Sequence, residues 1–312
     1  MKNTLVSGDS RPRRWAERSS AVGRVGYHQT FMPELPEVET IARGLAKRVT
    51  GDVVESVWLG QKKEPLKSPA SEIVAALEQS RVAAVRRMGK HIVFDLERDQ
   101  NVGRLAEATV RPRQLNAQWI VHLGMTGRLQ VCEPQEEVEK HTHAILRLAS
   151  GRELRFVDPR RFGRLSVSAN FDAGGIEPLD IDLDSFVAMF HGRKTPIKSA
   201  LLNQKLLRGV GNIYADESLF RTGIRPRRRA SSITREQLGK LIVAVKEVLK
   251  EAIALGGSSI SDYVDADGEE GFFQLQHRVY GREAEPCLVC KTPIKRIVIA
   301  GRSSHYCPNC QR

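Results

Sequence analysis

Hydrophobic residues fall into two patterns along the chain, and the first pattern predicts one helix followed by strands. After Pro36, which suits the first turn of a helix, apolar residues recur at helical spacing. Short apolar runs follow, separated by Gly, Pro and charged residues, and such runs predict an antiparallel sandwich or barrel. These runs cover 53–58, 82–85, 91–96, 119–123, 144–148 and 153–157. This part of the chain should therefore form one helix and six strands.

The second pattern begins after a connection rich in Gly, Asp and Pro at 172–184, where the apolar spacing becomes helical. Helices are predicted from a cap at Asp184, over 195–207 and over 212–221. The clearest helix begins at Thr234, which forms a capping box with Gln237, and it ends at Gly256-Gly257. A strand-rich part followed by a helix-rich part indicates an α+β protein.

The charge balance points to a polyanionic partner. The chain has 49 Lys and Arg against 37 Asp and Glu, which gives a formal net charge of +12. Such an excess favours nucleic acid first and an anionic membrane surface second. The sequence contains no run of eighteen apolar residues, so we expect no membrane-spanning helix.

Two basic segments interrupt these patterns. Residues 1–31 carry six Lys or Arg against two acidic residues and show no hydrophobic periodicity, so we expect them to be disordered. An Arg-rich, acid-poor start would suit an organellar transit peptide. We favour an upstream start codon instead, because Met32 begins what looks like a complete protein. The second segment, 98–117, is predicted to be a long loop between two strands.

Four of the five cysteines form two close pairs, Cys287-x2-Cys290 and Cys307-x2-Cys310, with sixteen residues between the pairs. This spacing lets four thiolates surround one Zn²⁺ ion, and four protein ligands leave no open position, so the zinc should be structural. Two redox-active pairs or disulfides are the alternatives. Cys132 stands apart and is interpreted as an ordinary buried or surface thiol.

Basic residues between the cysteine pairs, and a glycine turn before them, extend the nucleic-acid hypothesis. The hairpin expected between the pairs carries Lys291, Lys295, Arg296 and Arg302, which could face phosphates or only solvent. The turn at 208–212 has two glycines that could approach a phosphate at the start of the next helix, or it could be a plain structural turn. A zinc-ribbon transcription or ribosomal protein stays possible on spacing alone.

Eight motifs in a fixed order make the sequence recognisable. They are MPELPEVET at 32–40, GK at 89–90, HLGMTG at 122–127, KHTH at 140–143, DPRRFG at 158–163, KTPIK at 194–198, GVGNIYA at 209–215 and VYGR at 279–282. From Met32 to the C-terminus, the chain resembles the formamidopyrimidine-DNA glycosylase family, bacterial enzymes that remove oxidised purines from DNA.

The resemblance implies an α+β fold, with an N-terminal antiparallel β-sandwich with flanking helices and a C-terminal helix-two-turn-helix domain that ends in a four-cysteine zinc finger. We expect five segments: a disordered extension (1–31), a catalytic β-sandwich domain (32–165), a linker (166–184), a helix-two-turn-helix domain with a lesion-recognition loop (185–281) and a zinc finger (282–312).

The resemblance also implies a catalytic set. Removal of Met32 would leave Pro33 with a secondary amine that attacks C1′ of the damaged nucleotide and holds the sugar as a Schiff base. Glu34 would be the proton donor in base release, Lys90 the phosphate-binding donor in β-elimination, and Arg302 a phosphate ligand in δ-elimination. Inside a longer chain the nitrogen of Pro33 is a tertiary amide and cannot act as this nucleophile.

Six further residues match DNA contacts of the family. Three of them, Met125, Arg160 and Phe162, would fill the space left by a lesion that has turned out of the stack. The other three, His141, Arg193 and Asn212, would contact the DNA directly. Glu217, beyond Asn212, is expected either to bond backbone N–H groups or to form a salt bridge.

The resemblance implies duplex DNA with oxidised purines or abasic sites as partner, one structural Zn²⁺, a monomer, and the bacterial cytoplasm near the nucleoid. The loop after Gly256-Gly257 departs from the family, because it lacks the basic residue that is frequent there. Two rivals stay open: the endonuclease VIII type, whose usual Gly is Leu35 here, and a non-catalytic zinc-dependent DNA-binding protein in which the extension buries Pro33.

Overall fold

Two four-stranded antiparallel sheets lie in the first half of the chain, with strand orders β1-β6-β7-β5 and β2-β3-β4-β8. The computed structural model describes residues 32–98, 115–259 and 271–312. The strands of the two sheets are β1 (Val54–Leu59), β2 (Arg81–Met88), β3 (His91–Glu97), β4 (Leu115–His122), β5 (Arg128–Cys132), β6 (Thr142–Leu148), β7 (Glu153–Val157) and β8 (Arg164–Ser168). The helices are α1 (Leu35–Val49), α2 (Ala70–Leu77), α3 (Leu183–Phe190), α4 (Ile197–Leu201), α5 (Asn212–Arg221) and α6 (Arg235–Ala254). A hairpin of β9 (Lys295–Ile299) and β10 (Arg302–Tyr306) lies near the C-terminus.

All six predicted strands are present, but β5 and β8 were not predicted from the sequence. Both are edge strands, and each turns only two apolar side chains towards the core. These are Leu129 and Val131 in β5 and Leu165 and Val167 in β8. The helix α2 was missed for the same reason, because it buries two residues. Short amphipathic elements at an edge carry too few apolar positions to show a period.

The predicted loop at 98–117 is too long at its C-terminal end. The strand β4 already begins at Leu115, because 115–117 pair with the end of β3. Residues 99–114 of that loop, and the whole predicted extension at 1–31, lie outside the described residues.

Two predictions in the helical part need correction. Asp182, not Asp184, caps α3, because its Oδ1 accepts a hydrogen bond from the Ser185 N–H at 2.8 Å. The helix predicted over 195–207 is limited to α4, since Leu207 pairs with Ile176 of the connection in an extended conformation. The longest helix, α6, has the predicted Thr234 capping box.

The helix α1 joins the two halves of the molecule. It packs against β2, β3 and β5 on one side and against α6 on the other, and it buries Leu35, Val38 and Leu45 in one continuous core. The N–H of Leu35 donates a hydrogen bond to the carbonyl of Gly209, before α5, at 3.0 Å. The N-terminus of α1, with Pro33 and Glu34, therefore lies between the sheets and the helices. Across the described residues, no helix is long and apolar enough to cross a membrane.

Candidate active site and nucleic-acid interface

Pro33 is buried at the start of α1, beside a cavity of about 150 Å³. Met32, the residue bonded to the nitrogen of Pro33, lines this cavity together with Lys90 and Arg302. Its wall also includes His91, His122, Gln204, Arg208 and Gly211. The structure thus brings residues from the β2–β3 turn and from the zinc-finger hairpin to the place where the chain enters Pro33.

Glu34 follows Pro33, and its side chain is buried. The carboxyl group faces the N-terminal end of α5, where Oε1 accepts a hydrogen bond from the Ile213 N–H at 3.4 Å. Burial raises the pKa of Glu34 to about 7, although the positive charge of Lys90 acts in the opposite direction. A large fraction of Glu34 is therefore protonated at neutral pH and able to donate a proton.

The glycine turn before α5 makes close contacts with the start of α1. A Cβ atom on Gly211 would lie 2.0 Å from the carboxyl carbon of Glu34. At Gly209, where φ is +89°, a Cβ atom would lie 2.8 Å from the side chain of Leu35. The close approach that we expected for a phosphate is therefore made here by the protein's own carboxyl group.

Glu37, in the first turn of α1, is a buried junction between three segments of the chain. Its Oε2 accepts a hydrogen bond from the Glu34 N–H at 2.9 Å, and its Oε1 accepts one from the Ser258 N–H at 2.8 Å. The hydroxyl of Tyr214 donates to the same carboxyl group. Burial raises the pKa of Glu37, and these hydrogen bonds oppose the rise. Glu37 thus connects α1, α5 and the segment after α6.

Lys90 lies in the turn between β2 and β3, and Glu177 of the connection holds that turn. The Gly89 N–H donates to Glu177 Oε1 at 2.8 Å, and Arg87 Nη1 pairs with Oε2 at 2.8 Å. Arg208, at the start of the glycine turn, pairs with the same carboxylate at 2.9 Å. Burial lowers the pKa of Lys90, while Glu34 opposes this effect. The turn with Lys90 is thereby fixed relative to the turn around Glu34.

Arg302 and Asn212 lie on adjacent segments. Asn212 Nδ2 donates to Ser303 Oγ at 3.2 Å, directly after the exposed Arg302. Behind them, Lys198 Nζ and Asp216 Oδ1 form a fully buried ion pair at 2.7 Å. Lys198 also donates to the carbonyl of Ser303 at 2.6 Å. This network fixes the hairpin that carries Arg302 against α4 and α5.

The structure also brings together four of the residues expected to contact DNA. Met125 is half-buried on the loop after β4, and Arg160 and Phe162 are exposed on the loop after β7. The guanidinium carbon of Arg160 lies 4.9 Å from the centre of the Phe162 ring. The carbonyl of His141 accepts a hydrogen bond from the N–H of Asp158, at the base of the second loop.

Arg193 and Glu217 make structural contacts. Arg193 Nε donates to the carbonyl of Met189 at 2.6 Å and so binds the end of α3. Glu217 accepts hydrogen bonds from three successive backbone N–H groups, at 278, 279 and 280, over 2.9 to 3.1 Å. Of the two roles expected for Glu217, a bond to backbone N–H groups or a salt bridge, the structure therefore has the first. Glu217 anchors the segment before the zinc finger.

The four paired cysteines form one cluster. Their sulfur atoms all lie within 4.8 Å of one another, and Cys287 and Cys307 are buried while Cys290 and Cys310 are half-buried. Four sulfur donors at this separation fit a tetrahedral Zn²⁺ ion with no open position. The predicted hairpin, β9–β10, connects the two pairs. Cys132 lies at the end of β5, outside the cluster.

Two histidines of the cavity wall were not predicted as site residues. His122 ends β4, and its Nδ1 accepts a hydrogen bond from the Gly124 N–H at 3.1 Å. Its ring centre lies 5.0 Å from that of His91. Burial lowers the pKa of His122 to about 3 and also lowers the pKa of His91, so both rings are neutral at pH 7. The position of His122 at the end of a strand, before a glycine loop, is the signal that could have identified it.

A β-sandwich, a helical domain and a four-cysteine hairpin around a cavity lined by Lys90, Arg208 and Arg302 define an α+β protein with a structural metal centre. Three family models match these parts in order. The formamidopyrimidine-DNA glycosylase N-terminal domain matches residues 32–165, the formamidopyrimidine-DNA glycosylase H2TH domain matches 175–264, and the zinc finger found in FPG and IleRS matches 284–312.

Whole-length relatives agree with these matches. The formamidopyrimidine-DNA glycosylase of Solibacter usitatus is 46% identical over 286 residues, with 90% of this chain and 100% of the relative covered. A Lactococcus lactis Fpg complex with abasic-site DNA aligns with a TM-score of 0.78 at 30% identity, covering 89% of this chain and 99% of that one. A complex of the same organism's Fpg with Fapy-dG DNA aligns at 0.77 and 29%, covering 89% and 100%. The chain therefore belongs to the formamidopyrimidine-DNA glycosylase family, and the predicted fold class and structural zinc are confirmed.

Proposed function

We propose that this chain is a bifunctional DNA glycosylase and abasic-site lyase of base excision repair that removes 8-oxoguanine and formamidopyrimidines from duplex DNA. The observation that carries the proposal is the surroundings of Pro33. A carboxyl group with a pKa of about 7 follows it, and a cavity with Lys90 and Arg302 lies at its nitrogen. An amine, an acid and two phosphate-binding cations are the groups that this reaction needs.

In the proposed reaction, the free amine of Pro33 forms a bond to C1′ of the damaged nucleotide. As this bond forms, the glycosidic bond breaks with its electron pair on the base, and the base takes up the proton that the amine loses. The nitrogen lone pair then expels O4′ from C1′ to form an iminium (Schiff base), while Glu34 donates its proton to O4′ as the sugar ring opens. Loss of a C2′ proton breaks the bond from C3′ to its phosphate oxygen, and a second elimination breaks the bond at C5′. Lys90 and Arg302 bind the phosphates that leave.

This reaction requires a chain that begins at Pro33. With Met32 in place, the Pro33 nitrogen is an amide whose lone pair is delocalised into the carbonyl, so it is not a nucleophile. Met32 also lies in the cavity where the sugar would bind. Removal of residues 1–32 would expose the amine directly to this cavity. An α-amino group has a reference pKa near ~7.7 to 8.0, so a good fraction would be neutral at cellular pH.

The other predicted residues would hold the DNA. Met125 and Phe162 have apolar ends that can enter the stack where the lesion has left, and Arg160 can hydrogen-bond the remaining base. Asn212 and Arg302 would hold phosphates beside the cavity, with the zinc site fixing the hairpin that carries Arg302. His141 and Arg193 would add contacts along the duplex.

The test compares two chains, one beginning at Pro33 and one retaining residues 1–32. Each is incubated with 8-oxoguanine, thymine glycol and undamaged duplexes, and strand cleavage and binding are both measured. We expect the Pro33 chain to cleave the 8-oxoguanine duplex and the longer chain to bind DNA without cleaving it. Preference for thymine glycol would instead assign the endonuclease VIII type. Binding without cleavage by the Pro33 chain would assign a non-catalytic DNA-binding protein.

A further inference from the structure

We propose that the buried carboxylate of Asp158, together with the hydroxyl of Thr126, is a positioning device that holds the two DNA-facing loops as one rigid unit. The loops are 123–127, which carries Met125, and 158–163, which carries Arg160 and Phe162. This inference rests on the proposed function, because it concerns how Met125, Arg160 and Phe162 are held. These three residues are called the wedge below.

The hydrogen bonds of Asp158 connect the two loops. Its side chain is buried, and Oδ1 accepts the hydroxyl of Thr126 at 2.6 Å. The same oxygen accepts the Arg160 N–H at 3.2 Å, and Oδ2 accepts the Gly163 N–H at 2.7 Å. One carboxylate thus binds both ends of its own loop and the side chain of the neighbouring loop.

Thr126 contributes a second link. Its Oγ1 also accepts the Arg160 N–H at 3.3 Å, so the hydroxyl and the carboxylate share that donor. Thr126 directly follows Met125, and Arg160 stands two residues from Phe162. A single hydroxyl therefore sets the distance between the wedge residue of one loop and those of the other.

Close backbone packing leaves these loops no room to shift independently. A Cβ atom on Gly124 would lie 2.5 Å from the backbone carbon of Phe162. A Cβ atom on Gly163 would lie 2.5 Å from the ring of Phe156, under the second loop. At the tip of the second loop, Arg161 has a φ of +59° and forms an exposed ion pair with Glu64 at 2.9 Å.

Asp158 also connects this unit to the rest of the interface. Its N–H donates to the carbonyl of His141 at 3.0 Å, and its own carbonyl lies 2.9 Å from His143 Nε2. At the other end, the first loop begins directly after His122, which lines the cavity at Pro33. The unit therefore spans from the predicted DNA contact at His141 to the candidate active site.

The function of such a unit is to present the wedge with its geometry already set. A wedge has to enter the stack as the lesion leaves, and misplacement of a positioned group by about 1 Å can slow a reaction by about 100-fold. The need for it depends on the substrate. A lesion in a duplex must be expelled and its place filled, whereas an abasic site in a single strand has no base to expel and no opposite base to support.

The experiment uses chains that begin at Pro33 and measures single-turnover cleavage of two substrates, an 8-oxoguanine duplex and a single strand with an abasic site. The variants are Thr126→Val, Thr126→Ser and Asp158→Asn. Asp95→Asn is the matched control, because Asp95 is also a buried carboxylate of this domain but bonds Arg86 and Gln118 within the sheet. Thr126→Val removes the hydroxyl with little change in volume, and Thr126→Ser restores it.

We expect Thr126→Val to cleave the duplex about 10-fold more slowly or worse, with less than about a twofold change on the abasic single strand. The rate at which Thr126→Ser cleaves the duplex should be within about threefold of the rate of the unsubstituted chain. Asp158→Asn should lose more of its duplex cleavage rate than Thr126→Val does. Asp95→Asn should match the unsubstituted chain on both substrates.

Equal cleavage of the duplex by Thr126→Val and the unsubstituted chain would overturn the inference. An equal loss of cleavage rate on both substrates would overturn it as well, because a general structural defect would slow cleavage of the duplex and of the single strand alike. If Asp158→Asn does not fold, the pair of Thr126 variants decides the question. Failure of the unsubstituted chain to cleave either substrate would count against the proposed function and not against the loop unit.

Discussion

At the scale of single residues, the environment of Glu34 determines its chemistry. A carboxyl group in water is almost fully ionised at pH 7 and is a poor proton donor. The buried position between the start of α1 and the N-terminus of α5 raises the pKa of Glu34 to about 7, with desolvation as the main cause. The same residue in an exposed helix would be a surface acid with no catalytic use.

This pKa predicts the pH dependence of base release by the chain that begins at Pro33. Glu34 must be protonated and the amine neutral, so the single-turnover rate should be greatest between about pH 7 and 8 and fall on both sides. Glu34→Gln should be slower by about 100-fold or more, and its residual rate should no longer fall above pH 8. Rates measured from pH 5.5 to 9.5 test this, and an unchanged high-pH fall in Glu34→Gln would contradict it.

The raised pKa of Glu34 also predicts that the folded protein loses stability as the pH rises. Because the folded-state pKa is raised, the folded protein holds this proton more tightly, and the associated stability is present below about pH 4.5 and lost as pH rises through about 7. Glu34→Gln, which stays neutral, should therefore gain up to about 3 kcal/mol over the unsubstituted chain at pH 8 and little at pH 4. Urea unfolding at the two pH values measures this, and an equal difference at both would show that desolvation of the charge is not the cause.

At the scale of elements, the turn before α5 is as important as the helix itself. Gly211→Ala should displace the carboxyl group of Glu34, because the added Cβ would lie 2.0 Å from its carboxyl carbon. We expect excision to slow by about 100-fold and the free energy of unfolding to fall by about 1 to 3 kcal/mol.

Gly239→Ala in α6 is the matched control for this change. Its Cβ would meet Leu183 at an ordinary 3.8 Å, and alanine favours the helix by about 0.5 to 1 kcal/mol. The control should keep full excision activity and gain stability. Normal excision by Gly211→Ala would show that Glu34 does not need its place against the turn.

The elements that the sequence predicted well are those with local signals. In the capping box of Thr234 and Gln237, and within each cysteine pair, the two partners are three residues apart, and these features appear in the structure. The contacts that build the site are not local. Glu37 bonds Ser258, 221 residues away, and no spacing rule reaches that far.

For the same reason, the motif resemblance predicts Glu34 and Lys90 as site residues but does not show what holds them. Glu177 comes from a connection rich in Gly and Pro, where an acidic residue is unremarkable, yet it fixes the turn with Lys90. Asp216 looks like an ordinary helix residue but pairs with Lys198 in the core. Such roles depend on tertiary packing, which the sequence pattern does not encode locally.

At the scale of the whole molecule, the zinc finger completes the site from the far end of the chain. The hairpin between its cysteine pairs carries Arg302 to the cavity and is held to α5 through Asp216, which accepts the N–H of His305 at 2.8 Å. A structural zinc ion in a module this small supplies much of its folding free energy.

Cys307→Ser should therefore release zinc, disorder the hairpin and reduce cleavage by about 100-fold or more, while the sheets stay folded. Cys132→Ser, a thiol outside the cluster, is the matched control and should keep both zinc and activity. Metal analysis, circular dichroism and a cleavage assay on each variant measure this. Full zinc content in Cys307→Ser would contradict the assignment of the four-cysteine site.

Borohydride trapping shows whether the amine of Pro33 becomes bonded to the DNA. The chain made from its native gene is mixed with an 8-oxoguanine duplex and borohydride, and the cross-linked peptide is located by mass analysis. We expect a reduced adduct on an N-terminal Pro33. An adduct on an internal lysine, or cleavage without any adduct at Pro33, would contradict it.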